Sequence, residues 1–210
     1  MSQMRITVLG VGHIGSTVGR LWHAAGHEVT FAARDATGPR ALAEQLGERA
    51  HAATVAEGVA AAEVVLVAVP GPAVVDALTA AGGLDGRVVI DAANMMGTDR
   101  LSLRQLADAF PRARWVRAFN TLQARVLAGE NHRQPRWVLF LSGDEKAKPT
   151  VARLIADAGF EPVDLGGIDD SQLQEPGSAL WNTTLGVGDA TALAGRIRAD
   201  GAAADPLTAP

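Results

Sequence analysis

The chain has 210 residues, of which 48% are hydrophobic, enough for one sizeable core. Its net charge of -4 gives no electrostatic reason to expect nucleic acid or an anionic membrane as a partner. The absence of cysteine excludes disulfides, a thiol nucleophile and cysteine metal sites, and no metal site is expected. Since neither a signal peptide nor an apolar run of roughly 18 residues is found, we expect a cytoplasmic protein.

The first predicted elements meet at a glycine-rich junction, ITVLGVGHIGSTVGR, residues 6–20. Gly10, Gly12 and Gly15 form G-x-G-x-x-G, the spacing that lets a chain turn tightly and approach a pyrophosphate. A strand is predicted before the motif, a helix after it, and a second strand over residues 27–34. This βαβ unit of about thirty residues predicts dinucleotide binding, and the alternative is a glycine-rich turn without a ligand.

Helices and strands then alternate along the chain. Helices are predicted at 39–48, 54–62, 72–83 and 100–111, and strands at 63–70, 86–94 and 113–120. Only five strands are located up to residue 120, and the doubly wound pattern makes the strand at 113–120 the sixth. The alternation predicts an α/β Rossmann fold with a doubly wound, mainly parallel sheet.

The last third of the chain predicts two further strands, at 136–144 and 160–166, that extend the sheet. The helix between them has Asp144 as its expected N-cap. Residues 168–198 show helical spacing interrupted at 186–189. We therefore expect a dinucleotide-binding domain over 1–125, a compact C-terminal helical and strand extension over 126–200, and a flexible tail over 201–210. Leu180, Trp181 and Leu185 cover either a homodimer interface or the sheet edge.

The end of the second strand indicates which dinucleotide is bound. NAD-binding folds place Asp or Glu about 20 residues past the glycine turn, where its carboxylate binds the ribose 2′-hydroxyl. This chain has Ala33 there, 18 residues after Gly15, followed by Arg34. A guanidinium without a neighbouring carboxylate suits a 2′-phosphate, so the sequence favours NADP(H). The alternatives are that Arg34 is merely a solvated strand end and that Asp35 reaches the ribose.

Residues for acid and base chemistry are scarce. The chain has no tyrosine, and its lysines are Lys146 and Lys148 in one charged run. Of the five histidines, only His13 is placed near a cofactor by its motif, although a solvated loop residue is the alternative. The lack of an acid and base dyad favours hydride transfer between two cofactors over carbonyl reduction.

Four segments together resemble a known family: ITVLGVGHIGSTVGRLWHAAGHEVTFAAR, VVLVAVP, VVIDAAN and RAFNTLQARVLAG. They are similar to the NADPH-dependent reductases of the deazaflavin coenzyme F420, and the cytosolic modules of membrane metalloreductases are similar too. The resemblance implies NADP(H) as cofactor, F420 as co-substrate and a homodimer. It departs from the family at His13, where Asn is frequent, and at Ala33 and Asp35, where Ser and a basic residue are frequent.

The resemblance also implies roles for particular residues. Pyrophosphate would contact the turn formed by Gly10, Gly12, His13, Ile14 and Gly15. Arg34 would bind the 2′-phosphate, and Val69, Pro70 and Asn94 would flank the cofactor. Backbone groups of Asn120, Leu122 and Ala124 would hold the nicotinamide carboxamide, the alternative for this segment being a plain strand-to-helix turn.

A second ring would need apolar walls and cationic partners. Candidates for the walls are Met95, Met96, Leu122 and Trp181, and candidates for an acidic deazaflavin tail are Arg100, Arg104, Arg125 and Arg133. Core packing and solvated helix faces are the alternatives for these residues. Three functions are compatible with the sequence: hydride exchange with a deazaflavin, reduction of a small imine or enone with His13 or Asn120 assisting protonation, and a non-catalytic NADPH-binding sensor.

Overall fold

The computed structural model describes residues 3–94 and 101–200. Within them the chain forms one sheet of eight strands in the order β3-β2-β1-β4-β5-β6-β7-β8. The strands are β1 Arg5–Leu9, β2 Glu28–Ala32, β3 Ala50–Ala53, β4 Val64–Val67, β5 Val88–Asp91, β6 Arg114–Ala118, β7 Val138–Gly143 and β8 Glu161–Asp164.

Helices connect these strands and cover both faces of the sheet. They are α1 His13–Ala24, α2 Thr37–Leu46, α3 Val55–Ala61, α4 Val74–Ala81, α5 Leu103–Ala109, α6 Ala124–Gly129, α7 Lys148–Asp157 and α8 Val187–Asp200. Short 3-10 turns lie at Gly71–Ala73 and Asp169–Gln174. No helix in the two described ranges is both long and apolar enough to cross a bilayer.

The sheet is parallel from β3 to β6, and its strand order reverses between β1 and β4. Ligands of such sheets bind outside the carboxyl ends of the strands at this reversal. Strand β7 runs antiparallel to β6, and β8 runs parallel to β7. The predicted Rossmann architecture is therefore confirmed, and so is the expectation that the two late strands extend the sheet.

Burial on both faces explains why β4 is apolar throughout. Val64 and Leu66 belong to one hydrophobic cluster, whereas Val65 and Val67 belong to another. Because successive strand side chains point to opposite faces, these two clusters lie on opposite sides of the sheet. Strands buried on both faces read as continuous hydrophobic runs, and this is the signal from which β4 was predicted.

Two local predictions are corrected by the structure. Strand β3, with the sequence AHAA, was not located because it is partly exposed, pairs only with β2 and has no apolar run. Asp144 is not the N-cap of α7, since the helix begins at Lys148 with Ala147 in the cap position. Instead, Asp144 Oδ1 accepts hydrogen bonds of 2.9 Å from the N–H groups of Lys146 and Ala147 and closes the preceding turn.

The C-terminal segment is less helical than its apolar spacing predicted. A 3-10 turn at Asp169–Gln174 is followed by turns, and α8 begins only at Val187, where the interruption was predicted. Leu180 is fully buried in a cluster with residues of β7 and α8. Of the two alternatives for Leu180, the structure therefore shows packing within the chain. The expected tail over 201–210 lies outside the described residues.

Candidate functional site

The glycine turn between β1 and α1 has three differently placed glycines. Gly10 has a φ of 95°, and a Cβ there would lie 2.7 Å from the carbonyl oxygen of Ala68. A Cβ on Gly15 would lie 1.9 Å from the carbonyl oxygen of Gly10, whereas a Cβ on Gly12 would meet no atom within 4 Å. The first glycine makes the turn and the third brings helix against strand, while the second faces open space, the position at which dinucleotide-binding turns approach a pyrophosphate.

Helix α1 begins directly at this open space. His13 is its first residue, Gly12 occupies the cap position without a side-chain cap, and no acidic residue lies in the first turn. The N–H groups of the first turn, which include those of His13 and Ile14, have no partner within a helix and favour an anion. The imidazole of His13 is exposed, so it lies at the site entrance rather than in the core.

A cleft of about 540 Å³ extends from the glycine turn towards α4. It contains Gly10, Gly12, Arg34, Val69 and Pro70, so the structure brings together five of the predicted residues. Ala73, Asp76, Ala77 and Ala80 of the following helical segment complete the wall, together with Val55. Apart from Asp76 these side chains are small and apolar, and they leave a slot next to the strand reversal, the region where such sheets bind ligands.

A neighbouring cleft of about 490 Å³ shares Arg34 and adds Arg40 from α2. Both guanidinium groups are on exposed residues and provide two cations at the rim. Arg40 was not predicted, because it lies eight residues beyond the end of β2 and the first turns of α2 bring it back to the cleft. The sequence signal for Arg40 was its position on the first turn of the helix predicted at 39–48.

Asp35 is tied to the start of α2. Its Oδ1 accepts a 2.9 Å hydrogen bond from the backbone N–H of Thr37 and a 2.8 Å bond from the Thr37 hydroxyl. The backbone bond first, and the hydroxyl bond second, lower the pKa of Asp35 below its ordinary value. The carboxylate is therefore kept ionised next to Arg34 and engaged by the protein.

At the opposite end of the site, Asn94 follows β5 and Asn120 follows β6. The Asn120 amide donates to Asn94 Oδ1 at 3.2 Å and to the Gln174 carbonyl at 2.7 Å, and its Oδ1 accepts from Gln174 Nε2 at 3.0 Å. Asn94 Nδ2 in turn donates to the Asn120 carbonyl at 2.6 Å. Leu122 is buried beside them and Ala124 begins α6. Because the Asn120 amide is buried and bonded at both ends, it is suited to positioning and not to proton donation.

Backbone strain marks the same strand end. Phe119 has a φ of 62°, a left-handed backbone conformation that residues other than glycine rarely adopt. Its ring is fully buried and packs edge-on against Trp22, with centroids 5.3 Å apart and planes at 85°. Such strain persists only where the surroundings determine the conformation, and it is found frequently at functional sites.

A buried cation lies behind Asn94. Arg117 of β6 contacts the carboxylates of Asp91 and Glu175, the latter at 2.8 Å, and its Nη2 lies 3.3 Å from Asn94 Oδ1. All three charged residues are buried. None was predicted as a site residue, and an arginine between apolar residues of a predicted strand was the one available signal.

The residues expected to face a second ring are dispersed. Arg104 makes a two-pronged bond to Asp169, at 2.9 and 2.7 Å, Arg125 Nε donates to Gln123 at 2.7 Å, and Arg133 lies 3.8 Å above the ring of Trp137. These arginines therefore engage protein partners. The segment of Trp181 approaches the loop of Leu122, since the N–H of Asn182 donates to the Thr121 carbonyl at 2.7 Å. Met95, Met96 and Arg100 lie outside the described residues.

Comparison with known proteins agrees with this geometry. The family model described as NADP oxidoreductase, coenzyme F420-dependent, matches residues 5–95. A candidate F420-dependent NADP reductase from Arthrobacter sp. FB24 is 30% identical, with 95% of this chain and 96% of that chain covered and a TM-score of 0.69. The chain belongs to the F420-dependent NADP oxidoreductase family. This membership makes it an NADP-dependent oxidoreductase.

Two more distant proteins extend the comparison. Metalloreductase STEAP3 of Rattus norvegicus is 28% identical to this family member over an alignment of 169 residues that covers 78% of this chain and 34% of STEAP3. The chain thus spans about a third of the length of that relative. A reductive aminase of Aspergillus terreus, solved with NADPH and ethyl levulinate, is 23% identical with a TM-score of 0.64 and shares the fold. That alignment covers 81% of this chain and 57% of the aminase.

Proposed function

We propose that the chain binds NADP(H) across the carboxyl ends of its strands and exchanges a hydride with a deazaflavin of the coenzyme F420 type. The observation that carries this proposal is the glycine turn. Gly12 is open to a ligand, Gly10 and Gly15 are packed against backbone, and a cleft leads from the turn to two arginines. This combination fits a phosphorylated dinucleotide, and the family supplies the acceptor class.

The adenosine half would be held at the glycine turn and the clefts. In this assignment the first N–H groups of α1, at His13 and Ile14, bind the pyrophosphate. Arg34 binds the 2′-phosphate. The family frequently has a second basic residue where this chain has Asp35, and here Arg40 takes that part. Val69 and Pro70 line the path between the two halves.

The nicotinamide half would lie at the ends of β5 and β6. Asn94 and Asn120 fix the shape of this edge through their mutual hydrogen bonds. Backbone groups near Leu122 and Ala124 would hold the carboxamide. Because the Asn120 side chain already bonds Asn94 and Gln174, its role is to orient this segment against the cofactor.

Direct hydride exchange explains why the site needs little protein chemistry. When bound, NADPH supplies a hydride, which the deazaflavin accepts together with one solvent proton, leaving NADP⁺ and the two-electron-reduced deazaflavin. The chain's part is to align the two partners and exclude water. Lys148 supplies no acid here, since its Nζ bonds the carboxylates of Glu145 and Asp164 at 2.7 and 2.8 Å.

Reduction of a small imine or enone is the second candidate. It is favoured by the exposed imidazole of His13 at the glycine turn, since imidazole is the side chain most often used as a general acid. The buried and fully bonded Asn120 could not take this part. A non-catalytic NADPH sensor is the third possibility, and it differs from both by an absence of turnover.

The decisive experiment mixes purified protein with NADPH and oxidised F420 and follows bleaching of the deazaflavin. We expect rapid bleaching with NADPH, and a loss of about 100-fold in kcat/KM for Arg34→Ala, because a charge-assisted phosphate contact is removed. The rate with NADH should change little. Arg112→Ala is a matched control, since this exposed arginine bonds Asp85 away from the clefts.

Other outcomes distinguish the alternatives. Tight NADPH binding without bleaching would overturn the deazaflavin assignment and move the search to imines and enones. If those compounds are not reduced either, the sensor hypothesis gains support. If NADPH does not bind, the assignment of the glycine turn is itself wrong.

The proposed assembly is a homodimer, on the resemblance to the F420 reductases. Because Leu180 is buried against its own chain, it is not available for such an interface. Light scattering on the purified protein measures the molar mass directly. A mass of about 21.7 kDa, that of one chain, would contradict the dimer.

A further inference from the structure

Six polar side chains form one connected group behind the proposed nicotinamide position. They come from the end of β5, the end of β6 and the 3-10 turn that precedes the C-terminal loop. We call them the polar cluster: Asp91, Asn94, Arg117, Asn120, Gln174 and Glu175. All except Asn94 are buried, and Asn94 is partly buried.

Arg117 lies at the centre of the polar cluster. Its two terminal nitrogens meet carboxylates of different segments, Asp91 on β5 and Glu175 after the 3-10 turn. Burying these charges costs more free energy than forming an ion pair at the surface. Well-packed apolar residues in their place often give a fold of equal or greater stability. The value of such a buried network is therefore its defined geometry.

Asn94 connects Arg117 to Asn120 at the proposed nicotinamide position. Its Oδ1 accepts from Arg117 Nη2 at 3.3 Å and from Asn120 Nδ2 at 3.2 Å, and its Nδ2 donates to the Asn120 carbonyl. Gln174 bonds the Asn120 amide from the other side. The strand ends and the strained residue Phe119 are thereby held in one arrangement.

We propose that Arg117 is a positioning residue for the nicotinamide half of the cofactor, acting through Asn94 and Asn120. The inference rests on the proposed NADP(H) site and adds to it a residue that touches no ligand. The adenosine half uses other residues, since neither the 540 Å³ cleft nor the 490 Å³ cleft is lined by any member of the polar cluster. The two halves of the cofactor should therefore respond differently to a change at Arg117.

Calorimetric titration with NADPH and with 2′,5′-ADP, which lacks the nicotinamide half, separates the two responses. For Arg117→Lys, which keeps the charge but loses the two-pronged geometry, we expect NADPH to bind about tenfold more weakly. Binding of 2′,5′-ADP should stay within about twofold of wild type. Asp169→Asn is the matched control. It weakens the Arg104–Asp169 ion pair, which lies at the 3-10 turn that also carries Gln174, and it should alter neither affinity.

Glu175→Gln provides a second variant in case Arg117→Lys does not fold. The Glu175 side chain is 12% exposed, so its amide replacement is tolerated at the cluster's edge, and we expect about threefold weaker NADPH binding with unchanged 2′,5′-ADP binding. Equal losses for the two ligands, or no loss for either, would overturn the positioning role. A wild-type protein that fails to bind 2′,5′-ADP would instead refute the proposed function, and the inference with it.

Discussion

The two ends of the proposed cofactor site are built in opposite ways. The glycine turn depends on missing side chains, as at Gly15, where a Cβ would meet the Gly10 carbonyl at 1.9 Å. The polar cluster depends on side chains that must all be present, and its bonds join Arg117 and Asn120 to residues 58 and 54 positions away, respectively. One end is set by backbone packing, in the turn itself and against Ala68 of the neighbouring strand end, and the other by side chains from three separate segments.

Substitutions at the two ends should therefore affect ligand binding and stability in different ways. A substitution at the glycine turn either collides with backbone or blocks ligand space, and the two effects fall on different glycines. In the polar cluster every member supports the geometry of another, so a single loss leaves a buried charge or amide without a partner.

The largest effect is expected for Gly15→Ala. Since the new Cβ would collide with a carbonyl oxygen, α1 must shift away from β1, and we expect a loss of about 3 kcal/mol in the free energy of unfolding. Gly12→Ala is the matched substitution, because its Cβ meets no protein atom, and it should change stability by less than about 1 kcal/mol. Urea unfolding of both variants measures the difference.

NADPH titration completes this pair of substitutions. Gly12→Ala should bind NADPH about tenfold more weakly despite its unchanged stability, because the methyl group takes space that the pyrophosphate needs. If Gly12→Ala bound NADPH as tightly as wild type, the open space at this glycine would not be the pyrophosphate site. The contrast between the two glycines would then fail.

Leu180→Ala should have the next largest effect. Leu180 is fully buried against β7 and α8, so its truncation leaves a cavity and costs about 2–5 kcal/mol of stability. Binding of 2′,5′-ADP to the folded variant should not change, since the clefts lie on the other half of the sheet. A change in molar mass without a loss of stability would contradict packing within the chain.

The same comparison explains what the sequence could predict. Strands β4 to β7 follow from apolar runs, because burial on both faces leaves a signal in nearly every residue. Strand β3 has no such signal, since it is a partly exposed edge strand with the sequence AHAA. The segment of Leu180 has helical apolar spacing, yet it folds into turns because contacts with β7 and α8 decide its conformation.

For the site, the glycine turn follows from a motif, Asn94 and Asn120 were expected from the family resemblance, and the buried charges behind them were not predicted. Gly10, Gly12 and Arg34 follow from a motif and a strand end, and they line one cleft. Arg117 and Glu175 meet through bonds between residues 58 positions apart, which no spacing rule contains. Arg40 lies between these cases, since a helix brings it back to the cleft of Arg34.

A moderate effect is expected for Arg40→Ala. If Arg40 is the second cation at the 2′-phosphate, its loss should lower kcat/KM for NADPH about fivefold and leave that for NADH unchanged. Arg40→Lys retains a charge and should recover most of the loss. The effect should shrink at high ionic strength, because exposed charges are screened. Equal losses for NADPH and NADH would remove Arg40 from the phosphate site.

The smallest effect concerns Asp35, the acidic residue beside Arg34. Its folded pKa is lowered, first by the Thr37 N–H and then by the Thr37 hydroxyl, so the ionised form is favoured in the fold. A depressed carboxyl pKa contributes stability above the unfolded value of about 3.9, and this contribution disappears as the pH falls through the folded pKa. Thr37→Val removes the weaker bond and should raise the Asp35 pKa part of the way, as measured by carboxyl NMR.

The same carboxylate should weaken binding of the 2′-phosphate by repulsion. Asp35→Asn keeps an oxygen for the Thr37 N–H and removes the charge, so NADPH should bind about two- to threefold more tightly, with NADH unchanged. This gain should be present at neutral pH and disappear as the pH falls through the folded pKa of Asp35, which lies below the ordinary value, because wild-type Asp35 is then protonated as well. A gain that persisted there would show that shape, and not charge, limits the phosphate contact. Because the hydrogen bonds that the structure describes for Asp35 go to Thr37 in its own turn, its charge can be removed without breaking a bond to another strand, whereas Arg117 joins separate segments.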